Sequence, residues 1–129
     1  MTKIRAIANL CVGLVCLLHV GFLVLEMFFW DKPLGLCLFD LKPQIATDSK
    51  FLAMNLGLYN GFLAAGLAWG LRLAAKGNTQ GTNVKVFFLV CALLAGLFGA
   101  VTANPNILFA QALPAVLALA LVYLSETKG

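Results

Sequence analysis

The stretch IRAIANLCVGLVCLLHVGFLVLEMFFW, residues 4–30, decides the fold. Between Arg5 and Glu26 lie 20 residues with no Asp, Glu, Lys or Arg. A bilayer core of about 30 Å takes roughly 20 apolar residues per helix, so this stretch predicts a membrane-crossing helix. Met1-Thr2-Lys3-Ile4-Arg5 has the charge of a basic leader. The apolar run behind it is too long for a signal-peptide core, and no small-x-small cleavage site precedes Glu26. It is read as a retained span.

Three further apolar stretches, near 51–73, 86–102 and 107–124, complete the set. The last two are short and should stand nearly upright. Asn104-Pro105-Asn106 between them is a tight-turn sequence, which predicts an antiparallel hairpin. Composition agrees: 62% of the 129 residues are hydrophobic, 11% are charged and mean hydropathy is +0.97. A soluble domain carries about 25% charge. A soluble globular domain, a disordered chain and a disulfide-rich scaffold are therefore excluded. The expected fold is all-α, a four-transmembrane-helix bundle in one integral membrane domain over residues 1–129.

The net charge of +4 comes without a basic run or a basic patch interleaved with aromatics, so no nucleic-acid partner is expected. Lys/Arg distribution sets orientation instead. Lys3, Arg5, Arg72, Lys76, Lys85 and Lys128 fall on one side. Lys32, Lys42 and Lys50 fall on the other, matched by Asp31, Asp40 and Asp48. Both termini are expected in the cytoplasm. The 31–50 loop then faces outward, its Leu34–Phe39 portion lying at the interface or folding back. Thr47-Asp48-Ser49 offers N-cap residues for the second helix.

Polar groups inside the spans are costly and should face inward. The candidate ligand-binding residues are His19, Glu26, Asn55, Tyr59, Asn60 and Gln111. His19 and Glu26 are seven apart and share a helix face; Asn55 and Tyr59, four apart, share another. Asn60 points roughly 140° from Asn55. Pro114 cannot donate to the Ala110 carbonyl, one residue from Gln111. At about 1.5 Å per residue, Glu26 lies roughly 13 Å, Asn55 about 9 Å and Gln111 about 7 Å outward of mid-span. Tyr59, Asn60 and His19 fall near the middle. These depths predict a polar pocket in the outer half of the membrane.

Small residues at Gly57-x3-Gly61-x3-Ala65, Gly66-x3-Gly70 and Ala92-x3-Gly96-x3-Ala100 predict close helix contacts. The four cysteines form no Cys-x-x-Cys and read as apolar core residues. Cys16, His19 and Glu26 are the one conceivable metal set; no metal and no cofactor is expected. No phosphate-binding Gly-rich loop, nucleophile triad or internal repeat occurs.

Leu25-Glu26-Met27-Phe28-Phe29-Trp30, the run from Asn55 through Gly61 to Leu67, and Gln111-Ala112-Leu113-Pro114-Ala115 resemble a family of small bacterial membrane proteins. The family is DUF1304, a domain of unknown function. That pattern usually has Gln where Leu56 stands here. The resemblance implies four spans and a bacterial inner-membrane location, and no activity. A further analogy, to the four-helix membrane enzymes of eicosanoid and glutathione metabolism, fails: the second span has no Glu and no Arg within it to stabilise a thiolate.

The expected function is to bind, or help transport, a small amphipathic or lipid-like molecule as a homo-oligomer in the lipid bilayer. Two other readings stay open: a structural subunit whose polar groups only join helices, and an intramembrane acid–base enzyme using Glu26 or His19.

Overall fold

The computed structural model describes residues 3–127. Met1 and Thr2 of the basic leader and Lys128 of the charge count lie outside the described residues. Helix α1 (Lys3–Val24) runs on into a π segment (Leu25–Phe29). Then come α2 (Pro33–Leu38), α3 (Pro43–Ala75), α4 (Gln80–Thr102), a second π segment (Leu108–Ala112) and α5 (Leu113–Thr127). No strand occurs among the described residues. Four helices are long and apolar enough to cross a membrane: Lys3–Phe29, Pro43–Ala75, Gln80–Thr102 and Leu108–Thr127. The protein is an all-α, multi-pass membrane protein, as its apolar runs predict.

The helix ends differ from the ends of the apolar runs. The third and fourth spans have 23 and 20 residues, so neither is too short for a bilayer. Polar residues from Gln80 to Lys85 continue α4 beyond its apolar stretch. Helix α3 starts at Pro43, whose missing N–H costs nothing in a first turn. The expected N-cap residues therefore lie inside the helix. Thr47 and Ser49 donate their hydroxyls back to the Pro43 and Ile45 carbonyls, at 3.0 and 2.6 Å. Asp48 accepts from Gln44 at 2.9 Å. The correction has a simple cause: proline at 43 starts a helix as well as a capping side chain does.

The chain divides into two compact units, one of residues up to Leu18 and from Leu63 onward, the other His19–Phe62. In the first, parts of α1 and α3 pack with α4 and α5 around one core. Ala8, Val12, Val15, Leu67, Leu89, Ala92, Ala115, Ala118 and Val122 form it. Small side chains dominate because helices in lipid gain by close backbone approach rather than by hiding apolar area from water. Gly96 marks the tightest point of the predicted hairpin. A Cβ there would lie 2.6 Å from the Ala112 backbone nitrogen. Asn104 closes the turn by accepting the Asn106 N–H on its side chain at 2.9 Å.

In the second unit, the π segment of α1, α2 and the first part of α3 associate. Helix α2, six residues long, packs on the π segment. It ends at Leu38, and Asp40 two residues on has a left-handed φ of 51°, a conformation Asp tolerates better than most side chains. Two side-chain links tie the connection to α3. Trp30 Nε1 donates to Ser49 Oγ at 3.0 Å, and Lys50 Nζ donates to Asp31 Oδ2 at 2.8 Å. The Lys50 ammonium holds the Asp31 carboxyl below the usual carboxylate range.

Candidate functional site

Glu26 sits in the first π segment, where an extra residue per turn shifts the register of the side chains. It is half-buried. Its Oε2 accepts from Asn60 Nδ2 at 2.7 Å, at the short end of the hydrogen-bond range. Gly57, nearly one turn before Asn60, brings the two helices together. A Cβ at Gly57 would meet Met27 Cγ at 2.8 Å, the Leu23 carbonyl oxygen at 3.1 Å and Glu26 Cβ at 3.2 Å. The Gly57/Gly61 stripe is therefore a contact face, as its spacing predicts.

Asn55 and Tyr59 share a face, also as predicted. Asn55 Nδ2 donates to the Tyr59 hydroxyl oxygen at 3.1 Å. Both are exposed, Tyr59 by 51%. Asn60 turns instead toward Glu26, in keeping with its roughly 140° offset from Asn55. Asn55 with Tyr59 and Asn60 with Glu26 are thus two separate pairs. His19 is wholly buried, its ring edge-on to Phe22 at a centroid distance of 5.7 Å. Cys16 donates its thiol to the Ala64 carbonyl at 3.2 Å. No group of three metal-ligating side chains stands together among the described residues.

Gln111 belongs to the other unit and is half-buried in the second π segment. Pro114 explains that segment. Its ring nitrogen cannot satisfy the Ala110 carbonyl, so the ladder changes register, and the Leu113 N–H bonds to Leu108 O. Each π segment therefore carries one of the polar span residues singled out in the sequence.

The largest surprise is Lys85. Charge counting groups it with the charges on one side of the membrane, yet it lies in α4 and is only 2% exposed. Its ammonium donates to Asn9 Oδ1 at 2.9 Å. A signal was present. The buried stripe of α4 is Gly81, Lys85, Leu89, Ala92 and Gly96, so extending Ala92-x3-Gly96 backward at helical spacing lands on Lys85.

The match to a family model settles what these residues belong to. Residues 13–123 match the model described as protein of unknown function, DUF1304. The chain belongs to the DUF1304 family. The matched region takes in Glu26, Asn60, Lys85 and both π segments. Neither the curated proteins nor the solved structures hold a match to this DUF1304 chain.

Proposed function

We propose that this DUF1304 protein binds, or helps move, a small amphipathic or lipid-like molecule whose polar end meets Glu26 and Asn60. The observation that carries the reading is their 2.7 Å hydrogen bond inside an apolar span, at a helix turn already distorted to π form. π turns are frequent at functional sites, and a carboxylate in a membrane span is expensive to keep without a task. The reading sets the protein in a bacterial inner membrane, as its family resemblance implies, with both termini cytoplasmic, which the Lys/Arg distribution supports. The exposed Asn55–Tyr59 pair supports a homo-oligomer, because amide and phenol groups on a span's outer surface gain more from a neighbouring chain than from lipid. Catalysis is not part of the proposal.

A structural reading has its own support. The Glu26–Asn60 bond already joins α1 to α3 and could serve only to hold them. Native mass spectrometry from mild detergent separates the two, comparing wild type with Asn60→Ala and Glu26→Gln. The binding reading expects a co-purifying small molecule in wild type that both variants lose. Wild type retaining nothing, with Asn60→Ala merely unfolding at lower temperature, gives the structural reading the field.

A further inference from the structure

Two cavities adjoin in the unit that holds α4 and α5. One is polar, about 150 Å³ in volume, and walled by Arg5, Thr79, Thr82, Lys85 and Glu126. By the share of liquid volume each water takes, it has room for about five waters, enough for a phosphate group. The other is an apolar groove of about 470 Å³ along α4 and α5, running past Val86, Val116 and Ala120. Thr82 and Glu126 border both.

The polar cavity is unbalanced in charge. It holds two cations, Arg5 and Lys85, against the single carboxylate of Glu126. Glu126 is already engaged. Arg5 approaches it at 3.9 Å and the Thr82 hydroxyl donates to it at 3.2 Å. Lys85 makes no ion pair among the described residues and has the neutral Asn9 amide as its acceptor. Glu126 attracts it from beyond contact distance but is shared with Arg5, and a buried ammonium with only part of a counter-charge is costly. Its stem is also held in place: a Cβ on Gly70 would lie 2.8 Å from Lys85 Cγ, so the approach of α3 leaves the side chain little freedom.

We infer that the two cavities together form a site for an anionic phospholipid, with the phosphate between Lys85 and Arg5 and one acyl chain along the groove. The charge argues for the headgroup. A net anion neutralises the excess cation, whereas a zwitterionic headgroup brings a cation of its own. The lining that the two cavities share at Thr82 and Glu126 argues for the tail, since a free anion leaves the groove unfilled. The site lies wholly in the unit without Glu26 and does not depend on the reading of that residue.

The test titrates the purified full chain, in uncharged detergent, with dioleoyl phosphatidylglycerol, dioleoyl phosphatidylcholine and glycerol phosphate. Thermal unfolding and retained mass by native mass spectrometry are the readouts. Phosphatidylglycerol should raise the unfolding temperature and stay bound, at least about tenfold tighter than phosphatidylcholine. Glycerol phosphate should do neither at the same concentration. Arg5→Gln and Lys85→Met should each weaken phosphatidylglycerol about tenfold or more, the loss expected for a hydrogen bond to a charged group. Ala120→Trp, which fills the groove, should weaken it with both cations intact. Arg5 is well exposed, so its variant decides the matter even should Lys85→Met not fold. Equal retention of both lipids overturns the inference. So does binding of glycerol phosphate as strong as that of phosphatidylglycerol, or wild-type affinity in Arg5→Gln.

Discussion

Lys85 of α4 reaches Asn9 of α1, and its ammonium donates to the amide oxygen at 2.9 Å in an interior where the lysine is 2% exposed. Removing the acceptor alone strands a buried cation. Asn9→Leu should cost about 2 kcal/mol of stability, read as a lower unfolding temperature in detergent. Adding Lys85→Met should return most of it, since replacing both partners by apolar groups can be nearly neutral. A double variant no more stable than Asn9→Leu would show that the pair is not coupled.

Gly96 and Gly13 should respond in opposite directions to alanine. A methyl at Gly96 has the Ala112 backbone in its way, whereas one at Gly13 meets nothing within 4 Å. Gly96→Ala should therefore destabilise by about 1–3 kcal/mol as the hairpin is pushed apart. Gly13→Ala should be neutral or stabilise by up to about 1 kcal/mol through helix propensity. Thermal unfolding of the two variants side by side checks both signs.

The Asp31–Lys50 ion pair carries a pH signature. The Lys50 hydrogen bond lowers the Asp31 pKa, so the folded state binds this proton less readily than the unfolded chain does. Stabilisation from the pair is complete above the unfolded carboxylate value of about 3.9 and disappears as pH falls through the lower folded value. Asp31→Asn should unfold slightly below wild type at pH 7, and the gap should close as acid titrates the folded carboxylate. A gap that persists in acid would assign the effect to something other than this charge.

Cys37 reports on orientation. It is exposed, whereas Cys11, Cys16 and Cys91 are each partly buried within spans. With both termini in the cytoplasm, a membrane-impermeant maleimide added to intact spheroplasts should label Cys37, and Cys37→Ser should abolish the signal. Labelling that requires lysis would invert the topology.

The number of spans was readable in the sequence because an uncharged apolar run of bilayer length is stable in few places besides a membrane. Their boundaries were less readable, since hydropathy records where lipid ends and not where the backbone ladder ends. Pro43 and Gln80 start helices in polar surroundings for that reason. The pairing of Asn55 with Tyr59 followed from spacing along one helix. The pairing of Asn60 with Glu26 did not, because it needs the rotation of α1 against α3, which the π segment and the Gly57 contact set. The burial of Lys85 was not readable from charge counting, which treats each lysine as a loop charge. Its place in the buried stripe of α4 is a matter of helix periodicity, which charge counting does not record.

Helix α3 has 33 residues, or about 50 Å at about 1.5 Å per residue, while the hydrocarbon layer is about 30 Å thick. The surplus is several turns. A rod that long must lean, protrude among the headgroups, or do both. Its opening turns, with Thr47, Asp48 and Lys50 among them, are suited to standing in that wet zone. Bilayer thickness thereby becomes a mechanical variable for this molecule: thinner lipid leaves more of the rod projecting, and thicker lipid draws its polar beginning toward oil.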